Sequence, residues 1–442
     1  MPYVWLMVSL LCISYYRIDN MRISTLYLLL TLLILVGCNA RQVDEQALHC
    51  INFQEGSRQF VEPMLSKYVS ALKYTPIETR DSVLLGDVGS HFVADDSLMF
   101  FVSGQKQRCI HIFSRDGKYI KDIGAKGNGP GEYIAIRSMS IIPNINVLVV
   151  EGGWNIVYYS IDNGKCLAKC NLNDFFDTSK DIVTYFKGQK YTNYNISYGN
   201  FIHHNNSIYA TAGDGTTLDQ LLIKMDHTFS VDTIVKMRQS TLDVGMPRVA
   251  VSQLYTYNNN IHIIHGLCDT VYVWTNEKLY PHIAFDYGNL LSLSTMPQIK
   301  KTHPFFSPNT RHLSTKIATL IISNTDIFME TDLFIIGTVF FPKDYVIENN
   351  LRPQSHFLYD KQTRTTKLLK YPEDEYQAGF TNDIDGGMPF WPTKRIDDKL
   401  YQFVDAGTFI EMSEKYNSPE MKRIAATLTE DSNPVVIEAT LK

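Results

Sequence analysis

Short apolar runs separated by polar turns recur along most of the chain. In each copy an apolar strand and a polar turn precede a strand rich in aromatic residues, and a tight hairpin leads to a third strand. This alternation over four to eight residues is typical of half-buried β-strands. The two clearest copies are SLMFFVSGQKQRCIHIFSRDGKYIKDIG (97–124) and NVLVVEGGWNIVYYSIDNGKCLAKC (146–170). Four later copies begin at Ser207, Asn260, Asp332 and Lys399.

The turns between these strands support the same interpretation. Asp116-Gly117 and Asn163-Gly164 lie between alternating apolar runs, where such pairs are strong signals for two-residue hairpins. Six strand-rich repeats predict an all-β fold, a six-bladed β-propeller over residues 74–442, because each blade then buries its faces against two neighbours. Tandem β-sandwiches are the alternative, but they lack a recurring hairpin in each unit. The segment 74–86 is expected to supply the strand that closes the ring.

The N-terminus has the features of an export signal. The stretch MRISTLYLLLTLLILVGCNA (21–40) has a charged start, an apolar run and small residues before a cysteine. The cysteine after Val-Gly looks like a bacterial lipobox, which predicts cleavage after residue 37 and lipidation of Cys38. The apolar run is shorter than the roughly 20 residues that span a bilayer. We expect translation to start at Met21, and residues 38–73 to form a lipidated tether with a short helix around residues 60–72.

Composition and charge narrow the function classes. The chain has 442 residues, is 45% hydrophobic and 12% aromatic, and carries a net charge of −5. Without a cluster of Lys and Arg, this charge argues against a nucleic-acid partner. The seven cysteines show no metal-binding spacing. Cys166 and Cys170, four apart on a predicted strand, are too distant to form a disulfide.

The stretch GAKGNGPGEY (124–133) raises the question of a phosphate-binding loop. Such a loop needs a lysine and a hydroxyl after the glycines, or a helix that begins there. Neither follows in this sequence, where EYIAIRSMSII predicts an extended strand. We therefore interpret the stretch as a turn between the last strand of one blade and the first strand of the next. Positive φ angles are expected at Gly127, Gly129 and Gly131.

The segment from residue 101 to residue 133 resembles an NHL-type propeller repeat. More closely, the chain resembles the six-bladed β-propeller lipoproteins of Gram-negative gut bacteria, in which GNGPGEY, an Asp-Thr-Val-Tyr segment and NDIDGGMPFWP recur in this order. Here the latter two are CDTVYVW (268–274) and residues 382–392. The resemblance extends from about residue 74 to the C-terminus. It implies the fold and a place in the cell envelope, but no biochemical activity.

Two segments carry the candidate ligand-binding residues. The first contains Lys126, Asn128, Glu132 and Tyr133, at the end of the propeller where ligands commonly bind. These residues either bind a ligand there or only hold the loop against the next blade.

In the second, Asn382, Asp383 and Asp385 offer oxygen atoms for a weak Ca²⁺ site, or stabilise a turn through their side chains. Trp391 is either a core anchor or an aromatic platform for a ligand such as a sugar ring.

The sequence contains no catalytic signature. H-E-x-x-H and G-x-S-x-G are both absent. His262 and His265 are three apart on a predicted strand, so they face opposite sides. We therefore expect no metal site and no catalytic residue. We expect the protein to be a binding or scaffolding module for an envelope protein, a glycan or a peptide. This module would be anchored to the outer membrane, on its periplasmic face. The alternative is an NHL-like lactonase or lyase, in which His, Asp and Glu side chains from different blades would converge.

Overall fold

In the computed structural model, the repeats fold as six antiparallel sheets that follow one another along the chain. The structure describes residues 48–86, 91–102, 108–152, 155–171, 185–186, 189–190, 194–214, 220–228, 230–238, 252–265, 269–290, 319–321, 328–371 and 379–442. The predicted signal (1–37) and Cys38 lie outside these ranges.

The strands of the first three blades follow the repeats closely. Blade 1 consists of Phe92–Ala94, Leu98–Val102, Ile110–Ser114 and Tyr119–Ile123. Blade 2 consists of Ser138–Ile142, Val147–Gly152, Asn155–Ser160 and Cys166–Asn171. Blade 3 consists of Tyr194–His204, Ser207–Asp214, Gln220–Met225 and Val231–Arg238. Tyr185–Phe186 and Gln189–Lys190 form a separate two-stranded ribbon before blade 3.

Blades 4 to 6 complete the ring. Blade 4 consists of Ser252–Tyr257, Asn260–His265, Thr270–Thr275 and Lys278–Asp286. In blade 5, Thr319–Ile321 and Met329–Glu330 both pair with Phe334–Phe340, and Gln354–Asp360 and Thr365–Leu369 follow. Blade 6 begins with Lys394–Ile396, Lys399–Val404 and Val435–Leu441. The first strands of neighbouring blades contact each other from blade 6 through blades 1, 2 and 3 to blade 4, so they surround the central axis. The predicted all-β, six-bladed propeller is confirmed.

The ring is closed by a strand from the N-terminal side, Val69–Pro76, which pairs antiparallel with Val435–Leu441. Only residues 74–76 of the predicted closing segment 74–86 belong to this strand. The strand begins earlier because Val69 and Tyr74 are buried against blade 6 and its core. Ring closure thus joins segments from opposite ends of the sequence.

The residues before the closing strand differ from the expected tether and helix. His49–Asn52 pairs in parallel with the last strand of blade 4, and Phe60–Val61 pairs in parallel with the last strand of blade 5. A short helix, α1, lies between them at Phe53–Gly56, and a 3₁₀ turn covers Leu65–Lys67. The helix expected around residues 60–72 is wrong, because the blade edges offer backbone hydrogen bonds that a local helix would forgo.

The longer helices lie within insertions of the last two blades. Helix α2 (Lys343–Asn349) lies in blade 5, whereas α3 (Ala406–Lys415) and α4 (Pro419–Ala425) separate the second and third strands of blade 6. Asp405 and Ser418 cap the two blade 6 helices by accepting hydrogen bonds from backbone amides. Residues 49–442 form one compact unit. None of the helices in the described part of the chain is long and apolar enough to cross a membrane.

Candidate functional site

The glycine-rich stretch joins the last strand of blade 1 to the first strand of blade 2. The amide of Gly129 donates to Glu132 Oε2 at 2.7 Å. Lys169 Nζ of blade 2 donates to the carbonyl oxygens of Gly129 (3.0 Å) and Glu132 (2.7 Å). The hydroxyl of Tyr159 donates to the carbonyl of Gly131 at 2.6 Å, and Tyr133 is fully buried. The loop is therefore fixed against blade 2, as a connecting turn requires.

The glycines serve two different purposes in this loop. Positive φ angles occur at Gly124 (67°) and Gly131 (78°), but not at Gly127 and Gly129, where they were expected. A Cβ atom at Gly127 would lie 2.1 Å from Glu132 Oε2, and one at Gly129 would lie 2.9 Å from the same oxygen. A larger residue at either position would therefore displace the Glu132 carboxylate from its hydrogen bond with Gly129, and would not strain the backbone.

Replacing Gly131 by valine should lower the free energy of unfolding by about 1–3 kcal/mol, because a β-branched residue is strained at positive φ. A Cβ there would also lie 2.8 Å from Cys166 Cβ. Urea unfolding of the variant measures the loss. Gly86→Val should show the loss from backbone strain alone, since its φ is also positive (61°) and no atom lies within 4 Å of its Cβ position. The additional loss at Gly131 then measures the contact with Cys166. An unchanged midpoint for the Gly131 variant would contradict the structural role of the loop.

The four predicted residues of this loop do not act together. Glu132 and Tyr133 turn inward and hold the loop, as described above. Lys126 and Asn128 are exposed, and their side chains make no hydrogen bond or ion pair with the part of the chain that the structure describes. Two of the four residues are thus available to a ligand.

The acidic residues of segment 382–392 connect distant parts of the chain. Asp383 accepts hydrogen bonds from the amide (2.8 Å) and the hydroxyl (2.5 Å) of Ser66. Asp385 accepts hydrogen bonds from Tyr74 (3.1 Å) and from Ser418 (2.6 Å), which caps helix α4. Asn382 also donates to Asp385, at 2.7 Å. The two carboxylates point to different partners, which favours a stabilised turn over a Ca²⁺ site.

Trp391 is stacked with two other aromatic rings. The His356 ring is stacked on it at a centroid distance of 4.2 Å and an interplanar angle of 17°. Phe380 is stacked with its centroid 6.3 Å away. The side chain is half-buried and packs against the core of blades 5 and 6. This packing favours the core anchor over a platform for a sugar ring.

A cluster that the sequence did not indicate is centred on Glu330, in the first strand of blade 5. The residue is 1% exposed. Its Oε1 atom contacts His282 Nε2 at 2.8 Å and Lys361 Nζ at 2.7 Å. Its Oε2 atom accepts a hydrogen bond from the hydroxyl of Tyr255 at 2.7 Å. Arg395, from the first strand of blade 6, donates to the backbone carbonyl of Glu330. The cluster therefore ties blades 4, 5 and 6 together.

The charges of this cluster follow from its surroundings. Burial alone would raise the pKa of Glu330, but the hydrogen bond from His282 and the charge of Lys361 lower it to about 2. Burial lowers the pKa of Lys361, and Glu330 opposes this shift. His262 is stacked on Tyr255, and burial lowers its pKa to about 4. At neutral pH Glu330 is therefore ionised and His262 is neutral.

Metal binding at this cluster is disfavoured by its own lysine. His262, His282 and Glu330 each offer a ligand atom, and these atoms lie within 4.8 Å of one another. However, the ammonium of Lys361 already contacts the Glu330 oxygen that His282 contacts. A metal ion would add a second positive charge beside a buried cation. Side chains from two blades do converge here, as the enzyme alternative requires. However, Lys361 already provides the counter-charge of Glu330 that a metal ion would supply.

Comparisons with known proteins support the fold. No curated protein sequence matches the chain significantly. A Bacteroides fragilis protein described as exported has a similar structure, with a TM-score of 0.60 and 15% identity over 90% of this chain and 100% of that one. A member of the DUF4221 family from Bacteroides vulgatus has a TM-score of 0.42 and 12% identity, over 85% of this chain and 97% of that one.

The first of these structures shows the same fold and nothing more, because the identity is low. The relation to NHL repeats and to lipoproteins stays a prediction. A family model described as a domain of unknown function (DUF4934) matches residues 48–440, which cover the whole propeller. The chain therefore belongs to the DUF4934 family.

Proposed function

We propose that the protein is an exported, lipid-anchored β-propeller that acts as a binding or scaffolding module in the cell envelope. The signal-like N-terminus with Cys38 supports export and anchoring, and the description of the structurally similar Bacteroides fragilis protein as exported is consistent with export. The anchor would lie in the outer membrane and the propeller on its periplasmic side. The partner would be an envelope protein, a glycan or a peptide.

The connecting loop between blades 1 and 2 carries this proposal. Its backbone is fixed by Lys169, Tyr159 and Glu132, whereas Lys126 and Asn128 at its tip are exposed. A loop that is already ordered loses little conformational entropy when it binds a partner. Exposed polar side chains on such a loop are therefore suited to recognition.

The hydrogen bonds of the buried Glu330 carboxylate favour binding over catalysis. Three side chains already contact the carboxylate of Glu330, and its pKa is lowered to about 2, so this residue is a weak base toward a substrate. The lactonase or lyase alternative would need a stronger base, and the Glu330 cluster does not supply it.

Site-specific photo-crosslinking tests the proposal. A photoreactive amino acid at position 126 should crosslink discrete partners in intact cells, because this position lies on the proposed binding end. Lys118 is the matched control, since it is also exposed and lies in the hairpin at the other end of the same outer strand of blade 1. Labelling of the same partners from both positions, or from neither, would contradict a binding site at the loop.

A further inference from the structure

Three potential metal ligands meet on blade 1, near the start of the connecting loop. Cys109 directly precedes the strand Ile110–Ser114, which contains His111, and Asp122 lies opposite His111 on the neighbouring strand. Cys109 Sγ is 3.8 Å from both ring nitrogens of His111. His111 Nδ1 is 2.6 Å from Asp122 Oδ1. The three ligand atoms all lie within 4.8 Å of one another.

This arrangement differs from that of a catalytic Cys–His–Asp relay. In a relay, the carboxylate and the thiol contact opposite nitrogens of the imidazole and so lie on opposite sides of the ring. Here Cys109 Sγ is equally far from both ring nitrogens of His111, and it lies within 4.8 Å of a carboxylate oxygen of Asp122. The three side chains converge on one point, as the ligands of a metal ion do.

The ligand types and distances fit zinc. Thiolate, imidazole and carboxylate are its usual ligands, and tetrahedral bonds of about 2.3 Å to sulfur and 2.0–2.1 Å to nitrogen place these two atoms about 3.6 Å apart. The observed separation of 3.8 Å is close to this value. His111 Nδ1 and Asp122 Oδ1 are only 2.6 Å apart, and this contact would open by about 0.8 Å to reach the roughly 3.4 Å between two tetrahedral zinc ligands.

The charges at this group also differ from those at the Glu330 cluster. Among the described residues, no lysine or arginine forms an ion pair with Asp122, which contacts His111. The charge of Arg108 acts on Cys109, but Arg108 is exposed. The Asp122 side chain is 42% exposed, whereas that of His111 is 4% exposed. An ion can thus reach the ligands from solvent, and no buried cation opposes it.

We propose that Cys109, His111 and Asp122 bind one zinc ion, with a water molecule as the fourth ligand. The ion would join the third and fourth strands of blade 1 where the connecting loop begins. The amide of Lys126 in that loop donates to the carbonyl of Arg108, at 2.9 Å. Zinc would therefore stabilise this end of the blade. The inference is independent of the proposed binding partner.

Metal titration of the purified, chelator-treated protein tests the site. Calorimetry should show one zinc ion per chain, and cobalt in place of zinc should give a thiolate-to-metal charge-transfer band. Cys109→Ser should abolish this band, and both Cys109→Ser and Asp122→Asn should weaken zinc binding about 100-fold or more. Both positions are at least partly exposed, so the folded variants can be verified by circular dichroism. Cys166→Ser, at an exposed free thiol, should bind like the wild type.

Three results would overturn the proposal. The first is no zinc uptake by the wild-type protein. The second is unchanged affinity and an unchanged cobalt spectrum in Cys109→Ser. The third is loss of binding in a folded His262→Gln variant together with normal binding in Cys109→Ser, which would place the ion in the Glu330 cluster.

Discussion

Replacing Cys38 by alanine should move the protein almost completely from the membrane fraction to the soluble fraction. The acyl chains on Cys38 would supply the membrane affinity, at about 0.8 kcal/mol for each buried CH₂ group. Detergent phase partitioning of the expressed protein measures the change. Cys50→Ala is the matched control, because Cys50 is an exposed free thiol in the same N-terminal region. Equal partitioning of wild type and Cys38→Ala into the detergent phase would contradict the lipobox.

Glu330→Gln should lower the free energy of unfolding by roughly 3–5 kcal/mol, because it leaves the buried ammonium of Lys361 without its counter-charge. The Lys361 side chain is 8% exposed and that of Glu330 is 0% exposed. Denaturant unfolding at neutral pH measures the loss. The matched control is Glu62→Gln, which breaks a surface pair with Lys370 of nearly the same N–O distance, 2.8 Å, and should have little effect.

A second variant separates charge from packing in this cluster. If the unpaired ammonium causes the loss, Lys361→Met in the Glu330→Gln background should recover much of it, because both charges are then absent. An additive double variant, or a Glu330→Gln variant as stable as the wild type, would show that this ion pair within blade 5 does not stabilise the fold as described.

The architecture could be predicted because its signals are local. Alternating runs, Asp-Gly and Asn-Gly hairpins and the spacing of repeats each depend on a few adjacent residues. The turn interpretation of residues 124–133 likewise followed from the absence of a helix after the glycines. The role of Gly127 could not be predicted in the same way, since it depends on where the Glu132 carboxylate lies.

The N-terminal strands and the Glu330 cluster depend on contacts between distant residues. His49–Asn52 pairs with residues 283–286, and its four residues carry too little pattern to identify a strand. Glu330 contacts Lys361 within blade 5, and it contacts His282 only after blades 4 and 5 have packed together. Each of these side chains is unremarkable in its own segment, so spacing along the chain could not indicate the cluster.

The proposed zinc ligands on blade 1 differ in this respect, since the sequence itself indicates that they lie close together. Cys109 and His111 are two apart and thus share one face of a strand. The hairpin predicted at Asp116-Gly117 brings the next strand beside them, and Asp122 lies on that strand. Asp122 is neither a cysteine nor a histidine, so the spacing of those two residue types along the chain does not reveal it.

The ring closure described above also determines when the chain can finish folding. Ser70 of the closing strand donates to the carbonyl of Thr440, 370 residues further along the chain. At 5–20 residues per second, synthesis of that distance takes roughly 20 to 75 seconds. During this time the strand Val69–Pro76 has no partner edge, although its own residues are complete. The early segment must therefore be kept from aggregating until the strand Val435–Leu441 has been made, and a chain shortened before Val435 would retain an open sheet edge.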